Sequence, residues 1–146
     1  MRPVRVLLVE DNESDIYLIR RALSEADFPH VLTVLSDGAE ARAFLEREGV
    51  TTEDPLPEIV LLDMNLPRVN GSALVELFRD RPALQNIPVV LLSSSQAPQD
   101  LARADELRRG IYFVKPSDLE SFMDIGRRVK EFWTDSLNCS ASSQGA

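Results

Sequence analysis

The chain has 146 residues, 44% of them hydrophobic and 27% charged, with a formal charge of −8. That length suits one domain with its own core, and the composition excludes a fibrous or wholly disordered chain. The acidic balance argues against nonspecific nucleic-acid binding, and the single cysteine, Cys139, excludes an intrachain disulfide and reads with a reducing compartment.

In chain order, strand-like and helix-like periods alternate. Met1-Arg2-Pro3 leads without a signal-peptide layout into an apolar strand, Val4–Glu10. Glu13–Ala26 repeats Ile16, Ile19 and Leu23 at the spacing of one helix face. Val31–Leu35 is short and β-branched, hence a strand, with His30 in the loop before it. Asp37-Gly38 opens a helix over Ala39–Glu48, and Glu48–Pro57 reads as a long surface loop. Glu58–Leu62 is the third strand. A helix from Gly71, carrying Leu74, Leu77 and Phe78, stops at Pro82. Ile87–Leu92 is the fourth strand, Gln99–Arg109 a helix with Gly110 as its C-cap, and Ile111–Val114 the fifth strand. Ser117–Asp135 is the last helix, opened by a Ser117-x-x-Glu120 capping box. Residues 1–135 thus form the domain, and 136–146 a Ser-rich tail that is flexible or joined to a dimer. No stretch is apolar for the length of a membrane span, so a soluble cytoplasmic protein is expected.

Strict alternation implies right-handed crossovers and a doubly wound α/β fold. The expected architecture is a flavodoxin-like (βα)5 domain, its five parallel strands in the order 2-1-3-4-5. In such sheets the ligand site lies beyond the carboxyl ends of the strands. Here those ends carry Glu10-Asp11, Asp63, Ser93 and Lys115. Carboxylates so close raise one another's proton affinity, and a hard cation such as Mg²⁺ (or Mn²⁺) relieves the repulsion. Lys115 supplies a compact positive charge for Asp63 or for a phosphoryl group. Taken singly each residue has a bland reading: Asp63 and Asp11 as caps, Ser93 as a loop hydroxyl, Lys115 as a surface charge, Tyr112 as strand packing.

Together these residues, with Pro67 and Gly71 after Asp63 and Pro116 after Lys115, resemble the receiver domains of two-component response regulators over residues 1–135. The resemblance implies that Asp63 accepts a phosphoryl group from a phosphohistidine on a sensor histidine kinase. It implies metal ligation by Asp11, by Asp63, by the backbone carbonyl of Asn65 and, mostly through water, by Glu10. Lys115 would contact the phosphoryl oxygens, Ser93 would move to hydrogen-bond them, and Tyr112 would turn inward behind it. Such a domain is a phosphoacceptor that assists its own phosphorylation and dephosphorylation, not a turnover enzyme on an external substrate. A haloacid-dehalogenase-type phosphatase is disfavoured because Asp63-Met64-Asn65 lacks the second acid of an Asp-x-Asp signature. A degenerate, phosphate-independent receiver is disfavoured because neither an acid nor the lysine is missing.

The last helix spreads Leu119, Phe122, Met123, Ile125, Val129, Phe132 and Trp133 over about half its circumference, wider than the ~100° stripe a core contact needs. We read this as a partner surface, with Phe113, Phe122, Phe132 and Trp133 as interface residues. The run Leu7-Leu8-Val9-Glu10-Asp11-Asn12-Glu13-Ser14-Asp15, the Leu61–Pro67 segment and Glu131-Phe132-Trp133 look like phytochrome-associated stand-alone response regulators. That narrower resemblance implies a bacteriophytochrome as the kinase. It also implies a homodimer through the fourth helix, fifth strand, fifth helix and C-terminal segment. No DNA-binding module is read after the receiver, so control of transcription by direct binding is not expected.

Overall fold

The computed structural model describes residues 2–47, 50–53, 55–66, 71–94 and 98–145, without the side chains of 98–100 and 139–145. Glu48, Pro67, Ser95 and the Cys139 side chain lie outside the described residues. Strands β1 (Val4–Val9), β2 (His30–Leu35), β3 (Ile59–Asp63), β4 (Val89–Ser93) and β5 (Gly110–Val114) alternate with helices α1 (Glu13–Glu25), α2 (Gly38–Glu46), α3 (Gly71–Asp80), α4 (Pro98–Asp105) and α5 (Leu119–Gly145). The sheet runs β2-β1-β3-β4-β5, and every pairing is parallel. This is the expected strand order.

Because side chains alternate across a strand, each strand feeds two cores. Leu7, Val9, Val60, Leu62, Val89 and Leu91 pack with the apolar faces of α2 and α3. Val6, Leu8, Ile59, Leu61, Val90 and Leu92 face the other way, against α1 and α5. Strands β3 and β4 are buried at every position, which is why their sequences are unbroken apolar runs rather than alternating ones. Helices α1 and α5 touch backbone to side: a Cβ on Gly126 would lie 2.0 Å from the Ala22 carbonyl oxygen. Only glycine permits that approach.

Three local expectations change. Asp118, not Ser117, caps α5, its Oδ2 accepting the Ser121 N–H at 2.8 Å. Helix α4 stops at Asp105, so Gly110 is the first residue of β5 rather than a helix cap. His30 is not in a loop: it opens β2, stacks on Phe28, and holds Nδ1 2.6 Å from the Phe28 carbonyl oxygen. In addition, α5 does not end at Asp135 but continues to Gly145, and Ser136 is buried. Polar sequence there hides a helical backbone because serine is only moderately unfavourable in helices. No helix among the described residues is long and apolar enough to cross a membrane.

Candidate functional site

Parallel register brings the strand ends together. Val9 pairs with Leu62, Asp63 with Leu92, and Ser93 with Val114, so Glu10, Asp63, Ser93 and Lys115 stand side by side. Glu10 follows β1 and is fully buried; Asp63 closes β3 at 3% exposure, whereas Asp11 faces solvent. One carboxylate oxygen from each of these three acids lies within 4.8 Å of the others. The loop after Asp63 turns back through the Asn65 N–H, which donates to Asp63 Oδ1 at 2.9 Å. Beneath it, Gly71 starts α3 where a Cβ would come within 2.6 Å of Met64 Cα. Glycine there lets α3 support the loop at contact distance.

Lys115 reaches in from the end of β5. Its Nζ donates to Glu10 Oε2 at 2.6 Å and to Asp15 Oδ2 at 2.9 Å, and lies 3.5 Å from Asp63 Oδ2. Four carboxylates around one ammonium leave a formal charge of −3. Burial, followed by the close approach of Asp63, pushes the Glu10 carboxyl up to about 7, with Lys115 opposing. Burial alone would lower Lys115, but its bonds to Glu10 and Asp15 and the charge of Asp63 outweigh that and hold it well above the usual lysine range. The lysine therefore stays charged, and the excess negative charge falls on the acids. An all-oxygen donor set with surplus negative charge fits a hard divalent cation.

Ser93 ends β4 fully buried, its Oγ accepting from Asn65 Nδ2 at 3.3 Å. Tyr112 is half-buried on β5, against the core on the α3 and α4 side. Thus Glu10, Asp11, Asp63, Asn65, Ser93 and Lys115 are one constellation, and Tyr112 stands on the neighbouring strand. Asn65 enters through its N–H, on Asp63 Oδ1, and its side-chain amide, on Ser93 Oγ. Two contacts were not read from sequence: Asp15 on Lys115 and Asn65 on Ser93. Asp15 had a local explanation as an acid in the first turn of α1, and nothing in the pattern points across 100 residues to Lys115.

The expected interface aromatics are placed differently. Phe113, Phe122 and Trp133 are buried in the α1–α5 core, and Phe132 is half-buried against it. On α5, Phe122, Ile125, Val129 and Trp133 are taken up by contacts with the sheet and α1 while Leu119 stays exposed, so Phe113, Phe122 and Trp133 offer no surface within this fold. Arg128 covers the Phe113 ring at 4.0 Å, closing it further.

Two acids, an aspartate, a hydroxyl and a lysine on adjacent ends of a 2-1-3-4-5 sheet define a response-regulator receiver. Residues 6–126 match the response regulator receiver domain family, and the chain belongs to it. The chain is 32% identical over 140 residues to response regulator Rcp1 of Synechocystis sp., covering 96% of this chain and 95% of that protein. The phosphorylated cyanobacterial phytochrome response regulator RcpA superposes with a TM-score of 0.80 at 36% identity, over 90% of this chain and 94% of that one. The Mn²⁺-bound form of Rcp1 gives 0.79 at 34% identity, with the same two coverages of 90% and 94%.

Proposed function

We propose that Asp63 accepts a phosphoryl group from the phosphohistidine of a sensor kinase and that the protein signals through the contacts this charge alters. The observation that carries this reading is Asp63 itself, a buried carboxylate 3.5 Å from the Lys115 ammonium, with a carboxylate oxygen of Glu10 and one of Asp11 within 4.8 Å. In the transfer, an Asp63 oxygen forms the new O–P bond as the N–P bond to histidine breaks, and the departing imidazole takes up a proton. Positioning and charge stabilisation supply the rate, because the transition state has little covalent demand on the protein. Glu10, Asp11, Asp63 and the Asn65 carbonyl form the set to hold Mg²⁺, which when bound neutralises charge on the transferring oxygens. Lys115 supplies positive charge from the other side. The Asn65 N–H fixes Asp63 Oδ1, and Oδ2 faces the lysine.

The product places a group of charge near −2 beside the Ser93 hydroxyl. Ser93 leaves Asn65 to bond it, and Tyr112 fills the space behind, which reshapes the α4–β5–α5 face. Resemblance to phytochrome response regulators supports a bacteriophytochrome as the cognate kinase. A homodimer through α4, β5, α5 and its C-terminal turns would rest on exposed Leu101 and Leu137, not on the buried aromatics. The test is intact mass after incubation with acetyl phosphate and Mg²⁺. A phosphoryl adduct is expected in the wild type and not in Asp63→Asn; an adduct that survives the substitution, or none in the wild type, overturns the assignment.

A further inference from the structure

The Lys115 ammonium has three N–H groups, and two of them are committed away from Asp63. Glu10 takes one at 2.6 Å and Asp15 the other at 2.9 Å, while Asp63 stands at 3.5 Å, an ion-pair separation rather than a short hydrogen bond. Asp15 comes from a different element than the other acids, the first turn of α1. Its local role there would be the reciprocal half of a capping box, an acid three residues after the cap bonding the cap's own N–H. That role is already filled. The Asn12 N–H donates to Glu10 Oε1 at 3.2 Å, and Asn12 Oδ1 accepts the Asp15 N–H at 3.0 Å. The Asp15 carboxylate is thereby left to point across the site, where it bonds Lys115 with a quarter of its side chain still exposed.

We propose that Asp15 is a positioning residue that restrains Lys115 on the α1 side of the site and competes with the phosphoryl group on Asp63 for it. The inference rests on Asp63 being the phosphoacceptor. Occupying Asp63 adds negative charge within reach of Nζ, and the ammonium must give up part of its bond to Asp15 to meet it. Glu10 remains as the buried anchor in both arrangements. Asp15 then sets how readily the phosphorylated arrangement forms, without touching the transferred group. A helix-dipole role for Asp15 exists in parallel, but it does not depend on Lys115.

The test is beryllofluoride affinity by calorimetry at saturating magnesium. Asp15→Asn, nearly isosteric, is expected to tighten binding about twofold to fivefold, the scale of a partly exposed ion pair. Asp15→Ala, which the helix tolerates, gives the same direction, and Asp15→Glu restores wild-type affinity. In a Lys115→Met background Asp15→Asn changes nothing, an outcome that a merely structural role does not produce. Unchanged or weaker binding in Asp15→Asn and Asp15→Ala, or an equal effect without Lys115, overturns the proposal. Absence of beryllofluoride binding by the wild type is a different failure: it removes the phosphoacceptor reading and this inference with it.

Discussion

Glu10 gives the sharpest quantitative test, because its burial sets stability and cation binding against each other. Its proton affinity is raised in the fold from 4.5 to about 7, first by burial and then by contact with Asp63. Between those values the folded protein holds a proton that the unfolded chain has released. The unfolded state therefore binds fewer protons, and stability falls as pH rises. The contribution is fully present below pH 4.5 and lost once pH passes about 7. At about 1.4 kcal/mol per pH unit, the swing is about 3 kcal/mol. Lys115 is raised as well, so its own contribution persists until pH exceeds the ordinary lysine range and does not interfere. The lowered carboxyl of Glu58 has the opposite slope, at pH values below its usual range, and is common to both proteins compared.

Glu10→Gln removes this titration while keeping an oxygen for Lys115 and offering Asp63 an N–H. In EDTA, urea unfolding monitored by circular dichroism should find the variant more stable than wild type at pH 8, by about 1–3 kcal/mol. The upper end is the pH swing, and the lower end allows for the charge-assisted bond to Lys115 that is lost. At pH 5 the two should converge or reverse. Magnesium should raise the wild-type midpoint more at pH 8 than at pH 6, since a proton on Glu10 competes with the cation, and the variant should lose that pH dependence. Parallel stability–pH curves for the two proteins would show that Glu10 is not the strained acid of this site.

Other substitutions test the frame around it. Gly126→Ala should cost about 2–4 kcal/mol in urea unfolding, even though alanine is the better helix former, because α1 and α5 must part to admit the methyl group; a stabilised variant would contradict the close contact. Gly71→Ala drives a Cβ into Met64 beside Asp63, and should slow acetyl-phosphate labelling by about tenfold with a stability loss of about 1–3 kcal/mol. Phe122→Ala should destabilise by about 3–5 kcal/mol to the same extent at every protein concentration, as a core residue does; a loss confined to high concentration would return it to an interface. Leu137→Asp should lower the light-scattering mass if the proposed dimer forms, and an unchanged dimer would remove this residue from it.

Sequence alone determined the alternation of strands and helices, because buried parallel strands must be unbroken apolar runs and amphipathic helices must repeat near 3.6 residues. Glu10, Asp11, Asp63, Ser93 and Lys115 were legible for the same reason: each interrupts or follows an apolar run at a strand's carboxyl end, where a charge or a hydroxyl has no packing role. Helix limits were less legible. Ser117 and Asp118 can both cap, and the polar residues after Asp135 carry no apolar period, so only the folded chain shows α5 continuing to Gly145. The use of the α5 aromatics was also undetermined, since a wide apolar arc serves a core or a partner equally well. Packing decided it, closing Phe122 and Trp133 of α5 against the sheet and α1. Above all, tertiary structure decided how one lysine is shared. A sequence places Asp15 and Lys115 on separate elements, and only the register of five strands and the seat of α1 on them bring the carboxylate to the ammonium.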